Sequence, residues 1–184
     1  MIIKIDALLK ENLRGKIIVF PTDTVYGIGC LFDDIEMIDR IYQLKARDYS
    51  KPMAVLVHDL DQLAPLVQMN DCFIKLARRH WPGALTLIGK KTEQVSYLAT
   101  ANLETVGVRI PDHQIALKIL EHFGPMVTTS LNQTGEEAIY KLEDALMYLD
   151  KVDFLIPGGN LKQLASTVYD TLRLQVLRQG DVVI

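Results

Sequence analysis

The sequence is poor in three things, each of which would have pointed to a particular chemistry. It has two cysteines, Cys30 and Cys72, far apart and in no CxxC or Cys/His spacing. That argues against a zinc site and suits a reducing compartment, so the expected location is the cytoplasm. No stretch approaches the roughly 20 apolar residues of a membrane span. The amphipathic start, with Asp6 and Glu11, lacks the apolar run and cleavage site of a signal peptide. Nor is there a basic excess: 20 Lys and Arg stand against 23 Asp and Glu, a formal net charge of −3. A dedicated nucleic-acid binder carries a clear positive surplus, so any anion site here must be a local cluster.

Common nucleotide and hydrolase motifs are missing too. Residues 83–91 come nearest to a P-loop, but five residues separate Gly83 from Gly89 and Lys91 stands where Ser or Thr is needed. Gly27-x-Gly29 lacks the third glycine of a dinucleotide fingerprint, Phe32 taking its place. No kinase signature or nucleophile elbow occurs. His58, His80, His113 and His122 show no triad spacing and read as surface or cap residues. Asn132-Gln133-Thr134 matches a glycosylation sequon, which carries no meaning in a cytosolic protein.

What is present is the material of a core. Of 184 residues 49% are hydrophobic, which predicts one domain over residues 1–184. Two periodicities alternate. Helices are predicted at 5–13, from Asp33 and Asp34 to Lys45, and at 60–67, 71–79, 113–123 and 142–149. Strands are predicted at 16–20, 25–30, 53–57, 84–89, 105–110 and 126–130. Shorter ones are expected at 154–156, 166–169, 174–177 and 182–183. Residues 157–165, with Gly158, Gly159 and Asn160, read as the longest loop. Interleaved strands and helices without repeats give an α/β (α+β) class with a mixed, twisted sheet and flanking helices.

Polar segments recur where predicted strands end, the usual place for a ligand on a rigid support. Each also has a plain alternative. Thr22 and Thr24 straddle Asp23 after a buried strand and offer hydroxyls, or merely shape a turn. Lys45, Arg47 and Lys51 gather cations, or complement a helix end. Ser130 and Asn132 follow an apolar strand and read equally as a turn, and Ser166-Thr167 as ordinary strand polarity. Arg109 sits in an otherwise apolar strand, where a charge is costly unless paired or facing a ligand. Arg178 ends a strand and could be surface.

The ordered set decides between these readings. PTDTVYG, KAR followed by SKP, WPGALT, VGVRIPDH, TTSLNQTGE, STVYD and LRQG, in that order, resemble the threonylcarbamoyl-AMP synthase family with the YrdC-like fold, over residues 10–182. The resemblance implies a YrdC-like sheet around a cationic cavity. It also implies a nucleotidyltransferase that makes threonylcarbamoyl-AMP and pyrophosphate from L-threonine, bicarbonate or CO2, and ATP, with Mg²⁺ arriving on the ATP. Residue by residue, it implies a polar tetrad of Lys45, Arg47, Ser130 and Asn132. The implied threonine site is Thr24, Arg109 and Ser166; the implied ATP site is Arg47, Lys51, Thr105, Ser130, Asn132 and Arg178, with no protein metal ligand. Partners implied are tRNA-modification proteins that take the product, with weak, salt-sensitive binding of double-stranded RNA and no membrane. Leu131, Gln133, Thr134 and Pro157 depart from the family's loops, Leu56 stands where some members carry histidine, and with its end at Ile184 the chain is expected to be the family's short form. No general base is evident. The alternative reading is an RNA-binding or ribosome-maturation module using the same cationic cavity, against which stands the absence of aromatic and basic interleaving. A carbamoyl transferase like the related domain of hydrogenase maturation proteins would bring zinc-finger-like cysteines that this chain lacks.

Overall fold

The computed structural model describes residues 1–162 and 164–184. In chain order the elements are α1 (Ile5–Leu8), β1 (Ile18–Pro21), β2 (Tyr26–Leu31), α2 (Ile35–Leu44), β3 (Ala54–Leu56), α3 (Leu60–Leu63), β4 (Val67–Gln68) and α4 (Asp71–His80). They continue with β5 (Leu85–Lys91), β6 (Thr105–Arg109), α5 (Gln114–Phe123), β7 (Met126–Ser130), α6 (Leu142–Leu146), β8 (Phe154–Leu155), β9 (Thr167–Asp170) and β10 (Gln175–Arg178). The strands form one mixed sheet in the order β10-β9-β5-β6-β3-β7-β2-β1-β8, with β4 pairing beside β5. β1/β8, β3/β6 and β5/β9 run parallel and the other pairs antiparallel.

Side chains alternate across a strand, so each strand feeds two cores. Ile17, Val19, Ile28, Val55 and Val127 join one cluster, under α2 (Met37, Ile38, Ile41) and α4 (Phe73, Leu76). Ile18, Phe20, Leu56 and Met126 join the other, under α1 (Leu8) and α5 (Ala116, Ile119, Leu120). Helix starts follow local chemistry: Asp34, Asp59 and Asn70 accept hydrogen bonds from backbone N–H groups three residues on.

Four expectations need correction. The helix expected at 60–67 stops at Leu63, because Pro65 has no N–H to donate and its ring would clash with the preceding turn; Val67 and Gln68 then join the sheet edge. The helices expected to reach 13 and 149 end early, at Leu8 and Leu146, where bonds three residues apart tighten the chain. Residues 182–183 form no strand; the Val182 carbonyl accepts instead from the Thr167 hydroxyl at 2.7 Å. The expected loop at 157–165 carries no helix or strand in its described residues, and Gln163 lies outside them.

Candidate functional site

Residues directly opposed in the register share a face of the sheet. On the Phe20 face, Gly27 pairs with Ser130, Thr128 with Ala54, Ala54 with Gly107, Gly107 with Ile88, and Thr86 with Val168. That row crosses the middle of the sheet with almost no large side chain, and α1 and α5 pack on Phe20 and Leu56 to one side of it. A cavity of about 240 Å³ remains over this floor. A Cβ on Gly27 would come within 2.9 Å of the Thr128 methyl, and on Gly29 within 2.7 Å of the Val127 carbonyl, so both positions need glycine.

Six of the expected site residues line this cavity: Thr24, Arg47, Arg109, Ser130, Ser166 and Arg178. They arrive from six separate places in the sequence. Thr24 lies in the β1–β2 turn, where the Thr22 hydroxyl accepts from Thr24 N at 3.2 Å and donates to the Val25 carbonyl at 2.7 Å. Arg109, at the end of β6, is 5% exposed. Its Nε donates to the Gly83 carbonyl at 2.8 Å and Nη1 to the Thr24 hydroxyl at 3.1 Å, and Nη2 pairs with the Asp23 carboxylate. Burial lowers the Arg109 pKa, an effect the Asp23 charge opposes. Across the cavity, the Ser166 hydroxyl meets Thr86 Oγ1 at 2.8 Å, while Arg178 donates through Nη2 to that hydroxyl and through Nε to the Ser166 carbonyl, each at 3.0 Å. Arg178 belongs to an exposed edge strand, but its guanidinium is laid back over Ser166.

The third guanidinium depends on a helix ending. After α2, Ala46 adopts φ +46°. The Arg47 N–H bonds the Tyr42 carbonyl at 2.9 Å and the Ala46 N–H that of Gln43 at 3.0 Å, the paired bonds of a Schellman ending. The reversal sends consecutive cations apart. Arg47 turns to the cavity, its Nε on the Lys51 carbonyl at 3.0 Å and Nη2 on the Pro52 carbonyl at 2.8 Å. Lys45 turns inward, where it is 1% exposed.

The remaining expected residues are placed differently. The Lys45 ammonium donates to the carbonyls of Ser130 and Asn132 and to Asn132 Oδ1, at 2.5, 2.6 and 3.0 Å. Asn132 Oδ1 also accepts from the Ser130 hydroxyl at 2.8 Å, and its Nδ2 donates to the carbonyls of Gln133 and Glu136. Lys45 and Asn132 thus meet Ser130 as expected, yet both spend their polar atoms within the protein and neither lines the cavity. In return, Gln133 Nε2 and the Thr134 hydroxyl donate to the Leu44 and Lys45 carbonyls, capping α2. Burial, and then the Arg47 charge, pull the Lys45 pKa down to about 7. The Lys51 side chain is exposed; what Lys51 contributes is its carbonyl, which accepts from Arg47 and Tyr42. Thr105 shares the cavity's face of β6 but lies four residues, about 13 Å, before Arg109.

Electrostatically the cavity is one-sided. No acidic residue lines it among the described residues. Asp23 neutralises Arg109, whereas Arg47 and Arg178 bond only carbonyls and a hydroxyl. Burial lowers the pKa of Arg178, and the charges of Arg109 and Arg47 lower it further. Three guanidinium groups this close, two without counter-charge, are what an anionic ligand would relieve.

A family model named Sua5_yciO_yrdC, described as telomere recombination, matches residues 11–180. The chain belongs to the Sua5/YciO/YrdC family. It is similar to the threonylcarbamoyl-AMP synthase of Pyrococcus abyssi, at 36% identity over 85% of this chain and 47% of that one. It is also similar to the threonylcarbamoyl-AMP synthase of Vibrio campbellii, at 29% identity over 95% of this chain and 98% of that one. In structure it resembles P. abyssi Sua5 complexed with L-threonine, with a TM-score of 0.93 and 32% identity over 98% of this chain and 57% of that one. The chain spans about half the length of the Pyrococcus protein.

Within this Sua5/YciO/YrdC domain, two residues of the site have no role legible in the sequence. Asp23 is visible between its threonines, but its partner stands 86 residues away. Thr86 sits in what reads as an apolar strand; its only signal is a hydroxyl among Leu85, Leu87 and Ile88. No helix of the described residues is long and apolar enough to cross a membrane.

Proposed function

We propose that this chain condenses L-threonine, bicarbonate or CO2, and ATP into threonylcarbamoyl-adenylate and pyrophosphate, for threonylcarbamoyladenosine modification of tRNA. The observation that carries the reading is a single small-residue cavity ringed by Arg47, Arg109 and Arg178, with only Arg109 neutralised. Kinship with two proteins named threonylcarbamoyl-AMP synthase, and with a Sua5 that binds L-threonine, supports it.

The chemistry explains the need for that charge. The threonine ammonium and bicarbonate give a carbamate, water and a proton. A carbamate oxygen then attacks the α-phosphorus of ATP, and the bond to the pyrophosphate oxygen breaks. An anion must therefore approach a polyanion, and two unit charges at 4 Å interact by about 4 kcal/mol at an effective dielectric near 20. Arg47 and Arg178 offset that repulsion on the nucleotide side. Arg109, with Thr24 and the Ser166 hydroxyl, holds threonine. Ser130 Oγ turns toward Asn132, which leaves its lone pairs free to accept from a ligand group. Catalysis is positioning plus charge stabilisation, with no covalent enzyme intermediate.

Mg²⁺ fits this site only as a passenger of ATP. The described residues contain no cluster of three or more His, Cys, Asp or Glu able to hold a metal, so phosphate oxygens and water would supply its ligands. Bound there, it would neutralise charge on the leaving pyrophosphate. The product then passes to a tRNA-modifying protein. Pyrophosphate release tests the reading: it is expected only when ATP, threonine and bicarbonate are all present, and release that persists without threonine refutes it.

A further inference from the structure

We propose that Asp23 is a positioning residue, which aims the Arg109 guanidinium at the carboxylate of the amino-acid substrate. This deepens the synthase reading and rests on it. Arginine has five N–H donors. In Arg109, Nε is held by the Gly83 carbonyl at 2.8 Å, one Nη1 hydrogen by the Thr24 hydroxyl at 3.1 Å, and one Nη2 hydrogen by Asp23. One N–H is left on each terminal nitrogen, and both are available to a substrate carboxylate. The anchors come from two separate turns, the β1–β2 connection and the Trp81–Gly83 corner, so the guanidinium plane is fixed from more than one side. The Asp23 side chain is 9% exposed. A carboxylate so withdrawn from water needs its partner, and Arg109 is the one ion-pair partner it has among the described residues.

Orientation and charge make opposite forecasts here. An aspartate beside an anion-binding arginine weakens anion binding by simple Coulomb repulsion, so on charge alone its removal would tighten threonine. If Asp23 works by holding the plane, its removal loosens threonine despite the gain in positive charge.

The test compares Asp23→Ala, which removes the anchor, with Asp23→Asn, which removes the charge but keeps an acceptor. Wild-type and variant chains are assayed by pyrophosphate release with threonine and ATP varied in turn. Asp23→Ala is expected to raise the threonine KM about tenfold or more, with kcat and the ATP KM within about threefold; Asp23→Asn should fall in between. That split is one a general loss of folded protein would not produce. If Asp23→Ala fails to fold, as read by a thermal melt, Asp23→Asn decides alone, and a raised threonine KM is the expected result. A threonine KM that is unchanged or lowered in the folded variants, with an active wild type, overturns the inference and leaves the synthase reading standing. A wild-type chain that neither releases pyrophosphate nor binds threonine in calorimetry overturns both.

Discussion

The cavity has two corners built on different principles. At one, Arg109 is buried and neutralised by Asp23, and its orientation is fixed by Gly83 and Thr24. At the other, Arg47 rests on two carbonyls; Arg178, laid over Ser166, likewise has a carbonyl and a hydroxyl but no carboxylate. A neutralised, immobilised guanidinium adds little net field but much geometry, and suits recognition of one small carboxylate. Unpaired guanidinium groups add field, and suit a polyphosphate whose charge must be offset wherever it lies. Behind the second corner sits Lys45, a cation that serves the protein itself by holding the chain where β7 ends.

The comparison breaks most visibly at Arg47. Arg47→Ala is expected to lower kcat/KM for ATP by about a hundredfold, in line with loss of charged hydrogen bonds at about 1.5–3 kcal/mol. Threonine affinity without nucleotide should stay within about twofold in isothermal titration. Equal losses for both substrates would mean that the two corners are not distinct.

Lys45→Met comes next. It takes the ammonium from the Ser130 and Asn132 carbonyls and leaves Asn132 Oδ1 with the Ser130 hydroxyl alone, and the lost bonds should cost about 1–3 kcal/mol in urea unfolding near neutral pH. The pH dependence has a definite sign. Folding depresses the Lys45 pKa from 10.5 to about 7, so between those values the unfolded chain binds the extra proton and the folded chain does not. Relative to Lys45→Met, the wild-type protein should gain stability as pH rises from about 7 toward 10, lose that gain as pH falls back to about 7, and show a flat difference below. A difference that is flat above 7 as well would place the ammonium in a solvent-like setting.

Arg178→Ala is expected to cost about tenfold in kcat/KM for ATP, less than Arg47→Ala, because the residue is exposed on an edge strand. It also frees the Ser166 hydroxyl, so a small rise in the threonine KM would accompany it. The smallest effect is at Ala46, whose φ of +46° suits glycine: Ala46→Gly should raise the unfolding free energy measured in urea by about 1 kcal/mol or less.

These placements show what a linear pattern can and cannot carry. The strand Met126–Ser130 and the helix from Asp71 onward are legible because apolar spacing and an Asn cap act locally. Arg109 stands out because a lone charge in an apolar strand calls for a partner. The identity of that partner is a matter of sheet order, and Asp23 becomes visible only when β1–β2 and β6 are brought to one face. Lys45 and Arg47 look equivalent in a Lys-Ala-Arg run. What separates them is the left-handed turn at Ala46, an ending for which glycine is the usual signal. The cavity floor was half-legible: Gly27 and Gly29 hint at close backbone, but Ala54, Gly107 and Thr128 become a floor only through register.

The most direct measurement supplies ¹³C-bicarbonate, L-threonine and Mg-ATP to the purified chain and follows the nucleotides by mass spectrometry. The expected result is an adenylate carrying threonine and one ¹³C carbonyl, formed together with pyrophosphate, and absent when any one substrate is left out. Pyrophosphate with an unlabelled threonyl-adenylate, or AMP formed without threonine, would contradict the assignment of this cavity to threonylcarbamoyl-adenylate synthesis.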